Sequence, residues 1–237
     1  MSRYHPDEPR PCGAFVTGTD TGIGKTVVAC GLVRAALDRG LDTVALKPVS
    51  AGCEETPEGL RNEDAERLRQ LFDPPLPYDK VNPVALKAAA APHLAAAEEG
   101  IHIPVATLAA QARAFAQTSD FVVVEGAGGW RVPLDDHHTM ADLALSMDVP
   151  VVLVVGIRLG CLNHALLTAE AVRRDGLPLV GWVASRVDPD DPRADAQVES
   201  LRTRLQAPLL GDLPWMDEPT PEAVADRLDM GPLLACD

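Results

Sequence analysis

With 237 residues the chain can form one large domain or two small ones, and its 46% hydrophobic content supports a substantial core and excludes global disorder. Lys and Arg number 21 against 35 Asp and Glu, a formal net charge of −14, which disfavours nonspecific binding to nucleic acid or anionic membrane. No apolar run reaches the roughly eighteen residues of a membrane helix. The cysteines (Cys12, Cys30, Cys53, Cys161 and Cys236) form no Cys-x-x-Cys pair, so a reduced compartment fits better than a disulfide framework.

Met1 to Pro11 is polar and Pro-rich without the apolar stretch of a signal peptide, so residues 1–12 read as a flexible tail on a cytoplasmic protein. Ala14-Phe15-Val16-Thr17 is a short strand, followed by a glycine-rich turn and a helix from about Lys25 to Arg39. Val28, Leu32, Ala35 and Ala36 share one face of that helix, and Gly40 is its stop. Thr43–Leu46 is the next strand, ended by Pro48, and a helix opens at Asn62 and runs to about Leu71 with Glu63 and Asp64 in its first turn. Pro74, Pro75, Pro77 and Pro83 rule out regular helix over residues 73–83 on this reading. Helix returns around Thr107–Thr118, and Phe121–Val124 is a wholly apolar strand of the kind buried on both faces of a parallel sheet. Val151–Val155 and Leu179–Ala184 are two more, separated by a helix near Leu162–Arg174. A last helix near Ala194–Leu205 and a strand around Leu209–Leu213 complete the series. Such alternation predicts a three-layer α/β fold with a mostly parallel central sheet, one domain over residues 13–237. Ligands in such sheets collect at the carboxyl ends of the strands.

The first strand ends in Gly18-Thr19-Asp20-Thr21-Gly22-Ile23-Gly24-Lys25-Thr26. Glycines let the backbone curl its N–H groups around phosphate oxygens, and the following helix offers its positive end. Lys25 would reach the β- and γ-phosphates of ATP, and the Thr26 hydroxyl would ligate Mg2+. The strict P-loop pattern has glycine at position 19; here that residue is Thr19 and the leading glycine is Gly18, so this is a variant of the P-loop NTPase turn. Lys47, after the second strand, is either a solvated lysine or a second cation near the γ-phosphate. Glu125, after Phe121–Val124, is either a solvent-facing loop acid or a magnesium-directed one, and Asp64 is either a first-turn acid stabilised by the helix dipole or a further ligand. His5, His93, His102, His137, His138 and His164 show no metal spacing.

Several stretches, in order from about residue 14 to Trp215, together resemble the dethiobiotin synthetase family. They are Phe15-Val16-Thr17-Gly18-Thr19-Asp20-Thr21 with Gly24-Lys25-Thr26, Lys47-Pro48-Val49, Glu58-Gly59-Leu60-Arg61-Asn62 with Asp64, and Val81-Asn82-Pro83. Beyond them lie Val124-Glu125-Gly126-Ala127-Gly128-Gly129-Trp130, Leu159-Gly160-Cys161-Leu162-Asn163-His164-Ala165 and Gly181-Trp182-Val183-Ala184. The resemblance implies an ATP- and Mg2+-dependent cyclo-ligase that carboxylates 7,8-diaminopelargonic acid with CO2 and closes a ureido ring. It implies that Thr26, Asp64 and Glu125 hold Mg2+, and that Thr19, Asp20, Gly22, Ile23, Gly24, Lys25, Thr26, Val27, Ser185 and Pro214 bind ATP. Lys47, Lys25 and Thr21 would be catalytic, with Thr21, Lys47, Ala51, Gly128 and Gly160-Cys161-Leu162-Asn163 binding substrate. In the family the last segment comes from the neighbouring subunit, so the resemblance also implies a homodimer.

Three positions depart from the family pattern. Gly22 stands where some relatives have an acid, Ser50-Ala51 where a serine next to the glycine is common, and Ser185 where an asparagine often pairs with adenine. Two other readings of a P-loop chain are a cobyric-acid-type amidotransferase domain and a partition or division switch ATPase. The first would need a glutaminase domain for which the chain has no room, and the second a further lysine early in the loop, where this chain has Gly18-Thr19-Asp20-Thr21.

Overall fold

The computed structural model describes residues 12–235. In chain order the elements are β1 (Gly13–Gly18), α1 (Lys25–Leu37), β2 (Thr43–Leu46), β3 (Val49–Ser50), β4 (Glu54–Thr56), β5 (Gly59–Arg61), α2 (Glu63–Arg69), α3 (Tyr78–Val81), β6 (Val84–Ala85) and α4 (Pro92–Glu99). They continue with α5 (Val105–Ala116), β7 (Phe121–Gly129), α6 (Met140–Met147), β8 (Val151–Ile157), α7 (Cys161–Asp175), β9 (Leu179–Arg186), α8 (Ala194–Arg204), β10 (Leu209–Leu213), α9 (Pro221–Ala225) and α10 (Gly231–Leu234).

The strands β10-β9-β8-β1-β7-β2 hydrogen-bond in that order, and every pairing among them is parallel. β1 and β8 are buried along their whole length, as continuous apolar runs in a covered sheet must be. Alternate residues point to opposite faces: Ala14, Val16, Val152 and Val154 meet Val28 and Leu32 of α1, while Phe15, Val122 and Val124 meet Leu108 of α5 and Leu143 of α6. Leu153, Val155 and Trp182 form a further cluster with Ala165 and Ala169 of α7 and Val198 and Leu201 of α8. Helices therefore cover both faces of one sheet, the three-layer arrangement that the alternation predicts.

Some elements differ from the sequence-based expectation. β7 continues through Glu125 to Gly129, because Val16 and Gly18 of β1 pair with Glu125 and Gly129 and carry the strand past its apolar run. One helical turn, α3, lies inside residues 73–83; its prolines sit before and after the four residues, where they leave the helical hydrogen bonds intact. α8 is not the last helix, since α9 and α10 follow it, and α4 and α6 were not anticipated. α6 opens on a reciprocal capping box between Thr139 and Asp142. Cys30, Cys53 and Cys161 are free thiols, as anticipated. The anticipated tail lies outside the described residues except for Cys12, whose carbonyl accepts the Val122 N–H at 3.0 Å.

Candidate active site

The site is assembled where β1, β2 and β7 end, beside the opening of α1. After β1 the chain turns through Gly22 (φ 70°) and Gly24 (φ 87°), both in the left-handed region that glycine enters at little cost. Gly24 begins α1, whose first turn holds no acid, so its positive end faces the loop unopposed. Lys25 folds back across the turn and donates to the Asp20 carbonyl at 2.7 Å. Burial and the neighbouring charge of Lys47 lower its pKa to about 8, against the pull of Glu125, Asp64 and Asp20. The Asp20 carboxylate accepts the Thr21 N–H at 2.8 Å and is ion-paired with Arg158, which follows β8.

At the end of β2 the Lys47 ammonium donates to Glu125 Oε1 at 2.5 Å, Asp64 Oδ2 at 3.2 Å and the Gly126 carbonyl at 3.3 Å. Thr26 Oγ1 donates to the same Glu125 Oε1 at 2.9 Å. Lys47 is 4% exposed and Glu125 1%, so neither is a solvated surface group. Burial would lower the Lys47 pKa, but Glu125 and Asp64 outweigh it and the net shift is upward. Burial also raises Glu125 despite Lys47, while Asp64 is held below its usual range because Lys47, Thr26 and Lys25 overcome the cost of its own burial.

Glu125 Oε2 is buried and has no hydrogen-bond partner. An orphaned carboxylate oxygen beside Thr26 Oγ1 and the half-exposed Asp64 suits a hard divalent cation, which takes oxygen ligands. Among the described residues no group of three or more His, Cys, Asp or Glu is arranged to hold a metal. The oxygen set therefore depends on the Thr26 hydroxyl.

Behind Lys47 lies a buried polar strut. Asn82 Nδ2 donates to the Lys47 carbonyl at 2.6 Å, and Asn82 Oδ1 accepts from Ser50 Oγ at 2.7 Å and Tyr78 OH at 2.9 Å. Tyr78 OH accepts the backbone N–H of Asn62 at 2.7 Å, and Asn62 Oδ1 caps α2 on the Ala65 N–H at 3.3 Å. Asp64 is thus tied through α2 to the strand end that carries Lys47. Of these residues, Asn82 and Asn62 stand in motifs of the resemblance without a role, and Tyr78 carried no signal. The Ser50 hydroxyl is committed to Asn82 and lies 3.2 Å from Cys53 Sγ. Its proton is thus already engaged by Asn82.

Thr21 and Gly128 face each other: a Cβ built on Gly128 would lie 3.6 Å from Thr21 Oγ1 and 2.7 Å from a Val132 methyl. Gly128 sits at φ 63°, so both space and backbone require glycine. Ser185 closes over the loop from β9, its Oγ 2.9 Å from where a Cβ on Gly24 would stand, with the half-buried Val27 on the same side. Leu213, paired with Ser185, leads into Pro214. Gly160 begins α7 at φ 95°. The Cys161 N–H is taken by the Arg158 carbonyl at 3.0 Å and its thiol by Gln197 Oε1 at 2.9 Å, while the N–H groups of Leu162 and Asn163 lie in the open first turn of this helix. No hydrogen bond of this segment runs to Lys25, Lys47, Asp64 or Glu125 among the described residues.

A family model described as an AAA domain matches residues 13–223. The ATP-dependent dethiobiotin synthetase BioD of Cellvibrio japonicus is 53% identical over 220 residues, covering 93% of this chain and 96% of that protein. BioD of Pseudomonas aeruginosa strain LESB58 is 54% identical over 92% of this chain and 96% of that protein, and BioD 1 of Salmonella typhi 46% identical over the same shares. Among solved structures, the MinC:MinD cell division protein complex of Aquifex aeolicus matches with a TM-score of 0.58 at 13% identity, over 90% of this chain and 85% of that one. A ParA family ATPase from Chlorobium tepidum matches with a TM-score of 0.55 at 13% identity, over 93% and 91%. At such identities the likeness is one of fold alone.

Proposed function

The chain belongs to the ATP-dependent dethiobiotin synthetase family, and from that premise we infer that it is a cyclo-ligase joining 7,8-diaminopelargonic acid and CO2 into dethiobiotin in biotin biosynthesis, with ATP converted to ADP and phosphate. The observation that carries this reading is 53% identity over 93% of the chain to a dethiobiotin synthetase, together with Lys47 held between Glu125 and Asp64 beside a phosphate-binding turn. The likeness to division and partition ATPases is limited to fold, and the chain has no extra lysine early in the turn.

One amine of the substrate adds to CO2 and loses a proton, giving a carbamate. A carbamate oxygen then attacks the γ-phosphorus, ADP leaves, and a carbamic-phosphoric anhydride results. The second amine attacks the carbamoyl carbon, loses its proton and expels phosphate, which closes the ring. Phosphorylation is needed because a carbamate oxygen is otherwise a poor leaving group.

Lys25 and the backbone of Thr19–Thr26 bind and orient the β- and γ-phosphates. Lys47, fixed by its carboxylate partners and the Asn82 strut, presents positive charge to the carbamate and the phosphoryl group in flight. Thr21 and Gly128 border the diamine, and Val27, Ser185 and Pro214 border the base. Thr26, Asp64 and Glu125 would hold Mg2+, which supplies charge neutralisation on the phosphates when bound. Leu162 and Asn163 would offer their N–H groups to the substrate's distant carboxylate in the active site of a second copy of the chain, which makes the working unit a homodimer. No described helix is long and apolar enough to cross a membrane; the cytoplasmic location belongs to the proposed biosynthetic role.

The test is ADP release with Mg2+, bicarbonate and the diamine. Release that requires the diamine and yields dethiobiotin is the expected result; ADP release indifferent to the diamine would refute the reading.

A further inference from the structure

Arg186, the last residue of β9, belongs to no motif of the phosphate-binding turn. Its Nε and Nη2 donate to Asp212 Oδ1 and Oδ2, each at 2.8 Å, a bidentate fork across the ends of β9 and β10. Nη2 also pairs with Asp195 of α8 at 2.7 Å. The Arg186 side chain is about one quarter exposed and that of Asp212 about one third, whereas Asp195 is a solvated partner, so the Asp212 fork is the stronger of the two contacts.

Along a strand, side chains alternate between faces, so Ser185 points away from the Arg186 side, and Val187 follows the strand end. Both neighbours press on the turn. Ser185 Oγ lies against Gly24, and a Cβ built on Gly156 would meet Ile23 at 2.6 Å and Val187 at 3.6 Å. Arg186 thus grips the strand end from behind while its neighbours form the front that meets the loop. Asp212 stands two residues before Pro214 on β10, and Leu213 pairs with Ser185. Without the guanidinium, the side-chain link between the ends of β9 and β10 is lost and Asp212 keeps no cationic partner there.

We propose that Arg186 is the positioning residue of the base end of the nucleotide site: by forking Asp212 and holding Asp195 it sets Ser185 and Pro214 at the spacing that a nucleoside needs. This rests on reading the turn as a nucleotide site. The phosphate end is built separately, from Lys25, Gly24 and Thr26, and does not depend on Arg186. The two ends should respond differently to its loss.

The experiment compares ATP and inorganic tripolyphosphate as ligands of the full chain by calorimetry, for the parent, Arg186→Lys and Asp212→Asn. Arg186→Lys keeps the charge but loses the planar fork. Both variants should weaken ATP on the order of tenfold, leave tripolyphosphate unchanged, and raise KM for ATP with kcat retained at saturation. ATP affinity unchanged in both, or tripolyphosphate weakened as much as ATP, would overturn the proposal, the second result showing only general damage to the site. A parent chain that binds neither ligand would overturn the nucleotide reading itself, and this inference with it.

Discussion

In the proposed function Lys47 is the residue on which the chemistry turns, and its surroundings explain why a lysine can stay charged there. Burial alone would strip its proton, but Glu125 and Asp64 hold it charged. Lys47→Ala should cut turnover by at least about a hundredfold, the usual loss when one donor to developing charge is removed. It should leave ATP binding largely intact, because Lys25 and the turn make the phosphate contacts; a calorimetric titration that finds ATP binding gone would contradict the assigned role. Thr26 was legible because it opens a helix after the glycine-rich turn, whereas the residues alone left Lys47 and Glu125 between solvated and site readings, and only the resemblance drew them together. The part of Asn82 was not legible: its partners Lys47 and Ser50 lie more than thirty residues away, and only the parallel pairing of β3 with β6 brings them together. Asn82→Ala removes hydrogen bonds from the Lys47 carbonyl and from the Ser50 and Tyr78 hydroxyls in a buried site. A loss of roughly 2–4 kcal/mol is expected, read by denaturant unfolding, with a lower kcat because Lys47 loses its backing. Ser185 offers one short hydroxyl where an asparagine would offer a donor and an acceptor. In side-by-side competition this chain should therefore discriminate less between ATP and other triphosphates than an asparagine-bearing relative does, and a strict ATP requirement would oppose that.

At the scale of elements, apolar periodicity located the six strands of the main sheet and the long helices, because burial on both faces leaves an unmistakable run of Val, Leu and Ile. Shorter pieces depended on local hydrogen bonds that periodicity does not encode. α6 is one, opened by Thr139 and Asp142, and the loop before it is another. There Asp135 Oδ1 accepts the N–H groups of His137 and His138, and the His138 ring lies within 3.0 Å. Desolvation opposes ionisation of Asp135, but these donors outweigh it and lower its pKa to about 2. The folded chain thus binds fewer protons here than the unfolded chain as pH falls from about 4 to 2. The stabilisation is present at neutral pH and is lost through that interval. Asp135→Asn should lower the melting temperature at pH 7, and the gap to the parent should narrow below pH 4. A gap constant with pH in thermal melts would show that the charge of Asp135 contributes nothing.

For the whole molecule, the proposed function divides each active site between two copies of the chain. The turn, Lys47 and Gly128 gather at one place, while the open end of α7 reaches the turn only through Arg158, which pairs with Asp20, and among the described residues has no hydrogen bond to Lys47 or Gly128; beside it Leu159 is 94% exposed. An apolar side chain so exposed next to a helix opening with free N–H groups suits contact with a second copy. No pattern within a single sequence reveals that division, since each half follows a strand of the same sheet and reads as local. If each active site takes its phosphate machinery from one chain and its α7 opening from the other, two inactive variants should complement. Lys47→Ala inactivates the first half. Gly160→Val should inactivate the second, because a β-branched residue at φ 95° strains the backbone and turns the N–H groups aside. In a hybrid pair one site carries both lesions and the other carries none. Random reassociation of equal amounts makes about half the dimers hybrid, so about a quarter of the parent activity should return after unfolding and refolding the mixture. Activity that stays near zero in a mixture shown to exchange subunits would place Gly160–Asn163 and Lys47 in the same chain's site, or remove the segment from catalysis altogether.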